Sequence, residues 1–431
     1  MEKNPNNILS DTAKRPLPII PMEGKQVKSE KRKPRTNKII PKRKFSSGIS
    51  VVHKSHKKPR VYRLGQVCKC RKINMNHLGL DLGTRNIVIA FQEEDGSTGY
   101  LSEVNGYWPF ERVTPFLKNM LDDPTKIRSD GTKRPARWIE LDGQAIILGK
   151  DAEEFAYAKN DYLRRPMAEG GVSADEEAMT ILSTIVTGLL KTAEDDLGNF
   201  GKELKLCYCT TAPALNADIN LDYHTRVVDI ILSNYDSKTV IKKDTIKESH
   251  AIVLDSSEDG TGIGISWGAG TVTVSYVKYG IEIFSFCWVG SGDWIDSQVA
   301  GRHGFNPENT RKKAKETPTT VSKRKTEIDL TPGKEPSDRL GLDITLHYDI
   351  LINNVMNGVI EGFDENENEA RIEGGVNIYM AGGTASPPGF NDRVIKLLGE
   401  LEVPFDIGEI ILTKEPLFTV ARGCLKASTM F

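Results

Sequence analysis

From Asn76 onward, apolar and polar positions fall into short, regular runs. Leu78-Gly79-Leu80-Asp81-Leu82 and Ile87-Val88-Ile89-Ala90 are two strand-length apolar runs about Gly83-Thr84, which predicts a hairpin with a polar tip. Ordered structure is expected to begin there. Farther along, Ala178, Ile181, Leu182, Ile185 and Leu189 recur at helical spacing. Ser173 and Glu176 predict a capping box before them, and Gly198 predicts the end of the helix. Leu204 to Cys209 and Ile281 to Val289 read as strands, so strands alternate with helices as in an α/β fold. The stretches Lys312 to Asp338 and Glu361 to Gly375 are hydrophilic enough to read as surface insertions.

Setting Gly79-Leu80-Asp81-Leu82-Gly83-Thr84 over Gly264-Ile265-Ser266-Trp267-Gly268-Ala269 exposes a second apolar-turn-apolar hairpin, continued by Gly270-Thr271-Val272-Thr273. Two halves that each open with a Gly-rich hairpin predict a duplication, with a cleft between two lobes.

Charge changes the picture of the N-terminus. Residues 1–72 hold 21 of the 58 Lys and Arg but only four of the 59 acids, so this segment carries +17 and the remainder −18. It mixes Pro, Lys, Arg, Ser and Asn without a helical or strand period and is expected to be a disordered tail. Such a tail either contacts a polyanion, nucleic acid or anionic membrane surface, or acts as a solvated spacer. With only Phe45 and Tyr62 as aromatics, sequence-specific base stacking is not expected. No apolar run is long enough to span a bilayer and no secretory h-region opens the chain, which reads as a cytoplasmic protein without a transmembrane segment. Cys68, Cys70 and His77 supply three ligands where structural zinc takes four, so unpaired thiols are expected instead.

A tight Gly-Thr turn between strands presents backbone N–H groups and a hydroxyl, a concavity suited to phosphate. Two such turns facing each other would clamp a polyphosphate from both sides. Asp81 stands where a carboxylate holds Mg²⁺ through water.

Several ordered segments resemble the actin, heat-shock chaperone and sugar kinase superfamily over about residues 77–425. Gly79-Leu80-Asp81-Leu82-Gly83-Thr84-Arg85-Asn86 resembles its first phosphate loop in the form of MreB-type bacterial actins. Gly268-Ala269-Gly270-Thr271 resembles the second, and Asn377 to Thr384 with Pro388-Gly389-Phe390 is similar to the adenosine motif of actins. Arg164-Arg165-Pro166-Met167 with Gly170-Gly171-Val172 looks like the segment before the long helix in MreB and magnetosome actins, and Pro416 to Gly423 like the C-terminal helix. The resemblance implies a two-lobed actin-like ATPase fold, duplicated ribonuclease-H-like domains around a nucleotide cleft, with residues 1–76 as tail, 77–255 as first lobe and 256–431 as second. It implies ATP and Mg²⁺ as cofactors, held by Gly83, Thr84, Arg85, Asn86, Gly268, Ala269, Gly270, Thr271, Gly382, Gly383 and Thr384. Asp293, in an element resembling one that reaches the ribose, and Lys315-Glu316, placed like a pair against the nucleoside, complete the implied set.

For catalysis the resemblance implies Glu248 as the group orienting the attacking water, with Asp81 toward the metal. His250 reads as structural. The second loop departs from the family at Ser266, where an aspartate is usual; a serine supplies no charge, so weakened metal binding and slow hydrolysis are expected. The implied function is a cytoskeletal protein that polymerises with ATP. The alternative is a non-polymerising chaperone-like or switch ATPase of the same fold, and a small-molecule kinase is disfavoured because no catalytic base stands near the first hairpin.

Overall fold

The computed structural model describes residues 60–62 and 75–430, apart from 129–130, 160, 199, 236–238, 307–313 and 372–373. The long basic stretch, with Cys68 and Cys70, lies outside the described residues. Arg60–Tyr62 (β1) is a correction to that reading, because these residues form a strand. It is held by parallel pairing with Thr98–Val104 (β4) rather than by any apolar period of its own.

Met75–Leu82 (β2), Asn86–Gln92 (β3) and β4 form an antiparallel meander. Phe200–Thr210 (β10) and Val240–Lys247 (β11) extend it in parallel, giving the order β1-β4-β3-β2-β10-β11. Between these strands run Tyr107–Arg112 (β5), Trp138–Leu141 (β6) and Gln144–Leu148 (β7), a small separate sheet, and the two-residue strands Met167–Ala168 (β8) and Gly171–Val172 (β9). Pro115–Leu121 (α1) and Gly149–Lys159 (α2) pack on the small sheet through Leu117, Leu121, Ala152 and Ala156.

The second half repeats the plan. Gly262–Trp267 (β12), Thr271–Lys278 (β13) and Ile281–Val289 (β14) form an antiparallel meander, and Val376–Ala381 (β15) and Ile407–Leu412 (β16) extend it in parallel, in the order β14-β13-β12-β15-β16. A meander followed by two parallel strands, twice, is the duplication expected from the hairpins. Every residue of β12 is buried, as expected of a strand covered on both faces.

Glu176–Thr192 (α3) and Leu221–Ser233 (α4) cover the first sheet. The apolar stripe of α3 lies in the first core, where each buried Leu or Ile gains about 1.5–3 kcal/mol; Leu182→Ala would cost about 2–5 kcal/mol. Its cap corrects the expectation: Asp175 accepts from the Glu177 N–H, while Ser173 accepts from the Asp175 N–H one step earlier. The helix gives way to a wide turn over Ala193–Leu197 before Gly198.

The second core holds Gly292–Arg302 (α6), Pro318–Glu327 (α7), the 27-residue Arg339–Glu365 (α8), Glu367–Ala370 (α9) and Phe390–Leu398 (α10). The two supposed surface insertions are therefore corrected. Val321, Ile328 and Leu330 in one, and Phe363 and Ala370 in the other, are core residues whose sparse spacing among polar neighbours conceals them.

Two helices stitch the halves together. Glu248–Ser256 (α5) leaves the last strand of the first sheet and packs on β12; Thr419–Ser428 (α11) follows the last strand of the second and packs on β2. Both contacts are backbone against backbone. A Cβ on Gly79 would lie 2.1 Å from the Ala421 carbonyl, and one on Gly264 would lie 2.0 Å from the Ser249 carbonyl. The two glycines aligned in the sequence thus play the same part, each admitting the helix that comes from the other half.

Candidate functional site

The β2–β3 and β12–β13 turns face each other across a cavity of about 380 Å³. A Cβ on Gly270 would meet the Thr84 hydroxyl at 2.8 Å. Each turn also folds tightly on itself: a Cβ on Gly83 would lie 2.7 Å from the Asn86 carbonyl, and one on Gly268 would lie 2.8 Å from the Thr271 carbonyl. Gly83, Thr84, Arg85, Asn86, Gly268, Ala269, Gly270 and Thr271 all line the cavity, as do Asp81, Glu248, Ser266, Asp293, Gly382, Gly383 and Thr384.

Several side chains brace these turns from behind. Ser291 and Thr384 donate their hydroxyls to the Gly268 carbonyl at 2.7 and 2.6 Å, and the Asp293 N–H donates to Ala269 at 2.8 Å. Fully buried Asn105 does the same for the first turn, its amide donating to Gly83 at 3.0 Å and its backbone N–H to Arg85 at 2.8 Å. Asn105 was missed; its only signal in the sequence is an Asn-Gly pair, which reads as an ordinary turn.

At the cavity floor stand two carboxyls, each open to the cavity and walled by protein elsewhere. Burial pushes Asp81 up to about 6, and a hydrogen bond from the Cys209 thiol at 3.3 Å only partly offsets it. Glu248, the first residue of α5, is pushed up to about 8, first by burial and then by the Asp81 charge, with the Ser266 hydroxyl pulling the other way. Two carboxyls held above their ordinary range by burial, Glu248 also by the Asp81 charge, suit a divalent cation, whose charge favours their ionised forms. Among the described residues no three His, Cys, Asp or Glu side chains converge as a metal site. A cation here would therefore complete its shell with phosphate and water, the habit of Mg²⁺.

Lys315 and Glu316 do not line the cavity. Lys315 is exposed, and Glu316 accepts from the Thr320 hydroxyl at the start of α7. The lysine of this region that does reach the cavity wall is Lys325, ten residues on, buried and paired with Asp296 at 2.7 Å. Lys150 and Glu153 of α2 also line the cavity without having been anticipated. Nothing in their local sequence marks them, because α2 belongs to a small subdomain with no motif. His250 does not line the cavity, and burial holds its imidazole below its usual range. His77, the third of the possible zinc ligands, has its Nδ1 at 2.9 Å from the Ser428 carbonyl. Cys207, Cys209, Cys287 and Cys424 are unpaired and buried. No helix among the described residues is long and apolar enough to cross a membrane.

No curated protein matches the sequence. The fold, by contrast, is shared: a structure of the MamK double helical filament superposes with a TM-score of 0.54 at 16% identity, covering 82% of this chain and 98% of that one. A non-polymerising mutant of MamK bound to AMPPNP gives 0.48 at 16% identity, over 83% and 99% of the two chains. The ethanolamine utilization protein EutJ from Carboxydothermus hydrogenoformans gives 0.46 at 14% identity, over 81% and 89%. The likeness to the filament structure establishes a two-lobed, actin-like fold. The family model Volactin matches residues 75–428, from the opening strand of the first meander to the end of the last helix. The chain belongs to the Volactin family.

Proposed function

We propose that the cavity binds Mg·ATP between residues 77–255 and 256–431 as two lobes, and that the protein hydrolyses it slowly while assembling into cytoplasmic filaments. The observation carrying this reading is the pair of opposed Gly turns above Asp81 and Glu248. Backbone N–H groups of Gly83 to Asn86 on one side and of Ala269 to Thr271 on the other hold the phosphates, with Arg85 adding charge. The Gly382-Gly383-Thr384 turn and Asp293 take the nucleoside end.

Asp81 and Glu248 hold waters at the terminal phosphate. Glu248, at the start of α5, accepts a hydrogen bond from the attacking water and so aims it at phosphorus, because phosphoryl transfer depends mostly on positioning and charge. Mg²⁺ held through water by Asp81 would supply charge neutralisation at the phosphate oxygens. Ser266 reaches Glu248 with a hydroxyl and adds no charge of its own, which supports slow turnover.

The filament reading draws on the fold relative, which is a double helical filament. The +17 segment at residues 1–72 is proposed to hold such polymers to a polyanion. Sedimentation of the full chain with Mg·ATP, and without nucleotide, tests assembly: material pelleting only with ATP supports the reading. ATP binding and hydrolysis without pelleting would replace it with a non-polymerising switch ATPase.

A further inference from the structure

Besides α5 and α11, the lobes touch along a second line bordering the cavity. Arg165, just before β8 in the first lobe, grips Asp293 of α6 in the second with two donors, Nε to Oδ2 at 2.9 Å and Nη2 to Oδ1 at 3.2 Å. Its remaining nitrogen points to the Thr84 carbonyl in the first Gly turn at 3.5 Å. Nearby, Thr319 of α7 donates to the Asp161 carbonyl at 3.0 Å, Arg85 donates to Ser322 at 2.5 Å, and the Tyr162 and Phe305 rings meet edge to face.

A guanidinium engaging both oxygens of a carboxylate fixes distance and direction together, which a single-point cation does not. The Arg165 side chain is 16% exposed and that of Asp293 31%, so water screens this pair in part, less than a fully exposed surface ion pair. Asp293 lines the cavity, and Arg165 holds it while reaching toward the opposite phosphate turn. Separating the lobes enough to let a ligand out must break this grip.

We propose that Arg165 is a positioning residue of the nucleotide site, which sets how fast nucleotide leaves by latching Asp293 across the cleft. This rests on the reading of the cavity as a nucleotide site. A latch acts on escape more than on entry, since the bound state has the lobes closed. Arg165→Ala therefore speeds release about tenfold, equivalent to about 1.4 kcal/mol. Arg165→Lys, charged but unable to engage both oxygens, falls between. Arg165→Ala adds no further acceleration in an Asp293→Asn background, because the grip it would remove is already lost there.

The test is stopped-flow displacement of Mg·etheno-ATP, fluorescent in its base, by excess ATP, with the association rate measured alongside and folding checked by circular dichroism. Faster release with a nearly unchanged association rate, in folded Arg165→Ala or Arg165→Lys, is the expected result. Normal binding by the wild type with unchanged release in both variants would overturn this inference alone. Failure of the wild type to bind nucleotide would overturn the nucleotide reading, and this inference with it.

Discussion

Replacing Glu248 with Gln keeps its shape and removes its charge, which isolates the electrostatic strain at the cavity floor. In the folded protein Glu248 is pushed up to about 8 from its ordinary 4.5, and Asp81 to about 6 from 3.8. The folded state thus retains protons that the unfolded chain has released. Stability then falls as pH rises from about 4 through about 8, and the loss is complete above the folded values. Each pH unit of displacement corresponds to about 1.4 kcal/mol, so Glu248 sets a ceiling of roughly 5 kcal/mol, which water in the cavity screens to about 2 kcal/mol. In EDTA without nucleotide, Glu248→Gln should exceed the wild type by about 2 kcal/mol at pH 8 and by less than about 1 kcal/mol at pH 5. Urea unfolding followed by circular dichroism at the two pH values measures the difference, and phosphate release by the same variant should fall to background. A stability difference that does not change between pH 5 and pH 8 would refute the reasoning.

Ser266→Asp places a third carboxylate beside Glu248; it should raise phosphate release several-fold with Mg·ATP yet lower the melting temperature in EDTA, both readable on one preparation. Gly79→Ala puts a methyl group 2.1 Å from the Ala421 carbonyl and 2.2 Å from the Leu425 nitrogen, so denaturant unfolding should show a loss of about 3 kcal/mol or more. Removing residues 1–59, which spares β1, should leave nucleotide affinity unchanged and abolish salt-sensitive retention on DNA or anionic liposomes. Absence of retention by the full chain at low salt would favour the spacer reading.

The parts of the fold legible in the sequence are those where one short segment carries the whole signal. Each Gly turn needs its glycines because its own backbone leaves no room for a side chain, and that requirement is written locally. The same holds for Gly79 and Gly264, although their aligned positions revealed a repeat and not the helices that press on them. What stayed hidden depends on partners distant in the chain. Asn105 is separated from Gly83 by the β3–β4 hairpin, and Lys325 is made a cavity residue by Asp296 and the Gly292 carbonyl. Lys315 and Glu316 were favoured by their place in the order of motifs, yet the helix bearing Lys325 begins only at Pro318. The β1 strand and the core residues Val321 and Phe363 were missed for a related reason: a partner strand or a packed neighbour, not periodicity, fixes them.

The most direct test of the account is a calorimetric titration of the full chain with a non-hydrolysable ATP analogue in Mg²⁺, set beside Gly83→Val. The valine side chain would start 2.7 Å from the Asn86 carbonyl and fill the space where phosphate approaches the turn. Saturable one-site binding by the wild type, lost in a folded Gly83→Val variant, is the predicted result. Undiminished affinity in that variant, or no binding by the wild type, would contradict the assignment of the cleft.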